Sequence, residues 1–135
     1  MDAAREPLSR ARFRERVASG PVLFDGATGT VLHHHQQGRS GHGFDALNLT
    51  SPEVVAEAHA AYVAAGVDVI ETNTFGANRF RLGEYGLADH VRVVNAAAVA
   101  LARAAVEGTD VWVAGSVGPL GVSLAPIGRV PAAEA

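Results

Sequence analysis

Three short apolar runs punctuate the chain: Val22-Leu23-Phe24, Val67-Asp68-Val69-Ile70 and Val111-Trp112-Val113-Ala114. Each is rich in β-branched or aromatic residues and breaks off into polar or glycine positions, as buried parallel strands do. Between them the pattern changes to helical spacing. Val54, Val55, Ala58, Ala61, Tyr62 and Ala65 form one apolar face, and Val91, Val94, Ala98, Leu101 and Ala105 form another. Thr50-Ser51-Pro52-Glu53 predicts a capping box at the start of the first helix, Asp89 is the cap predicted for the second, and Gly66 and Gly108 predict their ends. A leading helix over residues 1–20, with Leu8, Phe13 and Val17 against the body, precedes Ser19-Gly20-Pro21, which breaks the pattern. Residues 21–135 form the body.

Strand, helix, strand, helix, strand implies right-handed crossovers and a parallel sheet. The connection from Gly26 to Leu49 is long for a compact domain, which points to function, and Val31 and Leu32 begin a short helix inside it. The tail from Gly118 to Gly128 has too much Gly and Pro for a helix and reads as the loop leaving the third strand. A third strand with an unpaired parallel edge is a poor stopping place for a buried sheet, so the expectation is an incomplete fold.

Parallel α/β folds place their ligands at the carboxyl ends of the strands. Glu71-Thr72-Asn73-Thr74 crowds four polar positions at one such end, and burying them unpaired costs about 1–3 kcal/mol each. Strand side chains alternate, so either Glu71 and Asn73 or Thr72 and Thr74 point inward; Glu71 and Asn73 are favoured. The triplet His33-His34-His35 lies in a polar loop and does not read as a metal site, because adjacent side chains diverge. His42, His59 and His90 read as surface or helix-face residues.

Composition narrows the class. Net charge is −3, with 11 basic and 14 acidic residues, which gives no electrostatic case for nucleic acid or an anionic membrane as partner. There is no cysteine, hence neither a disulfide framework nor a thiolate metal site within the chain. The Arg-rich start is interrupted by Asp2, Glu6 and Glu15 and is not followed by an apolar core, unlike a transit or signal peptide; a cytoplasmic location is expected.

Four segments carry a resemblance. Asp25-Gly26-Ala27-Thr28-Gly29-Thr30, the run Phe44 to Glu53, the run Glu71 to Arg79, and Ala114-Gly115-Ser116-Val117-Gly118-Pro119-Leu120-Gly121 stand in order and with natural spacing. Together they resemble the homocysteine S-methyltransferase family. Phe75 to Asn95, with Tyr85-Gly86-Leu87-Ala88, is most similar to the bacterial bifunctional enzymes that join this activity to methylenetetrahydrofolate reductase.

The resemblance implies an α/β fold, an incomplete (β/α)₈ TIM barrel comprising roughly the first three β/α units. It implies zinc-dependent methyl transfer to L-homocysteine, giving methionine. The zinc ligands are cysteines of later strands and are expected outside this chain, as is FAD, needed only if a reductase domain follows. The implied partners are L-homocysteine, a methyl donor and the remaining barrel segment; the donor stays open among methyltetrahydrofolate, S-adenosylmethionine and S-methylmethionine.

By the same resemblance Asp25 receives the amino group of homocysteine; turn chemistry before Gly26 is the bland alternative. Gly26 and Gly29 let backbone amides approach the substrate carboxylate or simply make a tight turn. Thr28 departs from the methionine common at that position. Glu71 and Asn73 line the site or brace neighbouring strands. Phe75 is an apolar wall or core packing, and Ser116 is a weaker site candidate. Two other readings compete: a non-catalytic, partner-binding domain without a metal site, and an unrelated barrel with a phosphate cradle at Gly26 to Gly29, which lacks a P-loop ending.

Overall fold

The computed structural model describes residues 10–35 and 43–135. Leu8 and His42, named above, lie outside the described residues. Helix α1 (Arg10–Ala18) has no buried residue. It is held instead by a ring contact of Phe13 with Trp112, at 5.8 Å between centroids, and by Arg16. The Arg16 guanidinium donates to both carboxylate oxygens of Asp68 at 3.0 Å and to the Pro21 carbonyl at 2.9 Å. Val17, expected against the body, is exposed.

Two of the three expected strands form a parallel pair, β1 (Val69–Glu71) and β2 (Trp112–Ala114), with Val69 beside Trp112 and Glu71 beside Ala114. The first run makes only one parallel bridge, Phe24 to Val69, on the other edge of β1. Its ladder is cut short because the Leu23 amide donates to the Asp68 carboxylate at 2.8 Å, while the Leu23 carbonyl accepts from the amides of both Asp68 and Val69. The spatial order of the three segments is nevertheless that of the chain, with β1 between the first run and β2.

Helices α2 (Thr28–His35), α3 (Leu47–Thr50), α4 (Pro52–Ala64), α5 (Arg79–Gly83) and α6 (Val91–Ala105) complete the regular elements, with short 3₁₀ turns at Phe44–Ala46, Ala88–His90 and Ala132–Glu134. The histidine triplet therefore ends a helix rather than lying in a polar loop. The capping box does not form: Thr50 closes α3 and its hydroxyl donates to the Ala46 carbonyl at 3.1 Å, so Ser51 becomes the cap of α4, with Pro52 as its first residue. Asp89 falls inside the 3₁₀ turn, and His90 rather than Asp89 precedes α6. Helix α5 was not foreseen. Asn78 caps it, its side-chain oxygen accepting from the amides of Phe80 and Arg81 at 3.1 and 3.0 Å.

Burial follows the helical faces. Val67 and Ile70 pack with Ala102 under Tyr62, Val63 and Val106, forming the layer between strands and helices. Leu32, Leu47, Val55 and Ala58 form a second cluster, and Ala77, Leu82 and Val94 a third. The α4 and α6 faces meet each other as their spacing predicts. His59, read as a surface or helix-face residue, is fully buried in α4, and neither ring nitrogen bonds to a described group. The imidazole is a flat, largely apolar ring, so position on the inner helix face outweighs its polarity.

Candidate functional site

A cavity of about 390 Å³ opens where β1 and β2 end. Its walls come from four places in the chain: the turn after Phe24, the segment Gly43 to Asp45, the loop Glu71 to Gly76 and the loop leaving β2, with Arg81 and Tyr85 beyond them. Of the residues expected at a site, Gly26, Glu71, Asn73, Phe75 and Ser116 all line it. Asp25 does not line it but stands directly behind: its carboxylate accepts the Glu71 amide through both oxygens, at 3.1 and 3.0 Å. The Asp25 carboxyl is raised above its ordinary range by burial; the Glu71 amide opposes that rise, and the Glu71 carboxylate adds to it.

The choice between Glu71 with Asn73 and Thr72 with Thr74 dissolves, because all four line the cavity. Strand β1 stops at Glu71, so alternation no longer governs the next three residues. What orders them is hydrogen bonding. The Thr72 and Thr74 hydroxyls lie 2.7 Å apart; Thr74 donates to the Ser116 carbonyl at 2.8 Å, and the Ser116 amide donates to the Thr72 hydroxyl at 3.1 Å. The Asn73 side-chain amide donates to the Phe44 carbonyl at 2.8 Å and to Asn48 Oδ1 at 3.1 Å, while Asn48 returns a bond to the Asn73 carbonyl at 2.8 Å. These buried groups brace the loop internally. Glu71 and Ser116 stay accessible, and the Ser116 hydroxyl donates to Glu71 Oε2 at 3.2 Å.

Phe75 is 62% exposed yet held on both sides. On one side Asp45 Oδ1 accepts the Gly76 amide at 2.9 Å, and a Cβ at Gly76 would come within 2.6 Å of Asp45 Oδ2. On the other, a Cβ at Gly118 would stand 2.2 Å from the Phe75 carbonyl oxygen. At Gly118 backbone leaves no room for a side chain, whereas at Gly76 a side chain would have to push the Asp45 carboxylate aside. Burial raises the Asp45 carboxyl above its ordinary range, against the pull of the Gly76 amide. Asp45, Phe44, Arg81, Tyr85 and Pro119 line the cavity without having been read as site residues. Asp45 stood beside an apolar run in the sequence, but its partner Gly76 is 31 positions away, and only the fold joins them.

Among the described residues no group of three or more His, Cys, Asp or Glu side chains is placed to hold a metal ion, and the chain has no cysteine. The described residues therefore do not fit a zinc site. Nor, among them, is any helix long and apolar enough to cross a membrane.

A cavity at the strand ends of a parallel α/β fold stands where such folds place their ligands. Comparison with known proteins narrows the class. Residues 22–134 match the family described as homocysteine S-methyltransferase, and the chain belongs to that family. It is 34% identical over 126 residues to a methionine synthase of Mycobacterium leprae (strain TN), an alignment covering 85% of this chain and 10% of that protein. To the methionine synthase of Mycobacterium tuberculosis (strain ATCC 25618 / H37Rv) it is 33% identical over 140 residues, covering 96% of this chain and 12% of that protein. Among solved structures it resembles the homocysteine methyltransferase MmuM from Escherichia coli in its metallated form, with a TM-score of 0.68 and 29% identity over 81% of this chain and 42% of that one. The oxidised form of the same protein gives 0.67 and 27%, over 81% and 41%. The chain thus spans about a tenth of the curated relatives and under half of the solved neighbour.

Proposed function

We propose that this chain, with a barrel portion over residues 21–135 behind a leading helix, supplies the amino-acid-binding half of a homocysteine S-methyltransferase site on the first three strand units of a (β/α)₈ barrel. The reaction is transfer of a methyl group to the thiol of L-homocysteine, giving methionine. One observation carries the reading: Glu71 lines a small cavity with Ser116 fixing its carboxylate, and the Asp25 carboxylate stands behind it, bonded to the Glu71 amide. Two carboxylates at one point favour a cation, and the ammonium of an amino acid supplies one. The volume of about 390 Å³ lies at the small end of the usual range for ligand cavities, roughly 300–1,000 Å³.

The chain's own residues bind and orient. Glu71 faces the cavity and takes the ammonium, Asp25 fixes the Glu71 backbone and adds negative potential, and the Gly26 turn admits the substrate closely. Phe75 shields the reacting sulfur from water on one side. Zinc, held by ligands outside this chain, would supply the thiolate form of the substrate sulfur. Leu23, Phe24, Val117 and Ile127 are exposed, the last two more than nine-tenths, and form the surfaces that further strand–helix units would cover. The same exposure supports the second reading, a partner-binding domain, and sizing of the chain with and without the remaining barrel segment separates the two. The location proposed is cytoplasmic.

The test is homocysteine binding and methionine formation by the full-length protein carrying Asp25→Asn or Asp25→Ala. Both variants should raise the KM for homocysteine; Asp25→Asn, which keeps an oxygen for the Glu71 amide, should melt close to wild type, and Asp25→Ala should melt somewhat lower. Normal KM and turnover in folded Asp25→Ala would remove Asp25 from the site.

A further inference from the structure

Among the described lining residues Arg81 is the positively charged side chain, with Asp45 and Glu71 as the negative ones. Its position is fixed from two directions. The Arg81 amide is tied to Asn78 Oδ1 at 3.0 Å, and the Asn78 side-chain amide donates to the Pro119 carbonyl at 3.3 Å, so α5 and the loop leaving β2 are joined. The side chain then lies across Gly121, where a Cβ would come within 2.5 Å of Nε and 2.9 Å of Cδ and Cζ. A guanidinium laid against a glycine of the site loop has lost part of the freedom that an arginine in open solvent retains.

Its ion-pair partner, Glu84, is one turn further along at 3.7 Å, with both side chains about half exposed. Pairs of that kind contribute little and exchange readily. A carboxylate entering the cavity offers the planar, two-point partner that a guanidinium binds best. We propose that Arg81 is the carboxylate-recognition residue of this cavity, so that the site selects a substrate carrying a carboxylate as well as an ammonium. The inference rests on the amino-acid reading above and deepens it. The carboxylate belongs to homocysteine or to the methyl donor, and the experiment distinguishes them.

Full-length wild type, Arg81→Gln and Arg81→Lys are titrated calorimetrically with four probes: L-homocysteine, 3-aminopropane-1-thiol (homocysteine without its carboxylate), S-methyl-L-methionine and 5-methyltetrahydrofolate. Arg81→Gln should weaken at least one of the carboxylate-bearing probes by about tenfold or more and leave 3-aminopropane-1-thiol unchanged. The probe that weakens names the source, and Arg81→Lys should fall between the other two proteins because it keeps the charge and loses the fork. Unchanged affinity for all three carboxylates, or an equal loss for the carboxylate-free thiol, overturns the proposal while leaving the amino-acid reading in place. If wild type itself fails to bind L-homocysteine, that reading falls and this one with it.

Discussion

Three glycines around the cavity should respond to alanine in three different ways. At Gly115 a Cβ meets no heavy atom within 4 Å, so Gly115→Ala should change stability by no more than about 0.5 kcal/mol. At Gly76 it comes within 2.6 Å of Asp45 Oδ2 and so drives the carboxylate off the Gly76 amide, which it holds at 2.9 Å. A hydrogen bond to a charged group contributes about 1.5–3 kcal/mol, which sets the expected loss. At Gly118 the obstacle is backbone: the Phe75 carbonyl at 2.2 Å and the Phe75 ring at 2.9 Å. That carbonyl cannot retreat without breaking the Thr74–Ser116 and Asp45–Gly76 bonds on either side of it. Gly118→Ala should therefore cost at least the upper end of the overpacking range, about 3 kcal/mol. Urea denaturation of the three variants, compared at equal m-value, gives the order directly. In an Asp45→Ala background, Gly76→Ala should lose most of its cost, since the two act on one contact. A Gly118→Ala protein as stable as Gly115→Ala would refute the close packing of the two loops.

Other outcomes follow from buried polar groups. His59 is held below its ordinary pKa of 6.5 by desolvation, so the unfolded chain takes the proton first as pH falls. Stability should decline below about pH 6.5, and His59→Leu should flatten that limb in pH-dependent melting; an unchanged slope would show that the imidazole titrates freely. Asp45→Asn keeps an oxygen for the Gly76 amide and should melt close to wild type, whereas Asp45→Ala leaves that amide unpaired and should lose about 1–3 kcal/mol; equal melting temperatures would contradict this. Asn73→Ala strips partners from the Phe44 carbonyl and from Asn48, at about 1–3 kcal/mol for each buried group left unpaired, and thermal melting reads the sum.

Much of the architecture was legible without coordinates, because periodicity is a local property. The α4 and α6 faces, the parallel runs at Val69 and Trp112, and the polar cluster after Ile70 can be read from residue spacing alone, and the four ordered motifs point to the family. Local signals failed where a contact or a packing face decided by the fold competed with them. Thr50 looked like a cap, but α3 claimed it through the Ala46 carbonyl. His59 reads as a surface or helix-face residue, and the face it occupies is the inner, buried one. The first strand shrank to one bridge because Asp68, 45 positions on, takes the Leu23 amide.

The site divides along the same line. That Asp25, Glu71, Asn73 and Ser116 belong near strand ends is decided by sequence, since each follows an apolar run. Which of them keep free donors and acceptors is decided only by folding. Asn73 spends its side-chain amide on Phe44 and Asn48, whereas Glu71 and Ser116 remain open to the cavity. The Asp45–Gly76 contact and the position of Arg81 over Gly121 are likewise tertiary facts. Spacing along the chain determines which face of an element a side chain occupies; what that side chain touches depends on segments dozens of residues away.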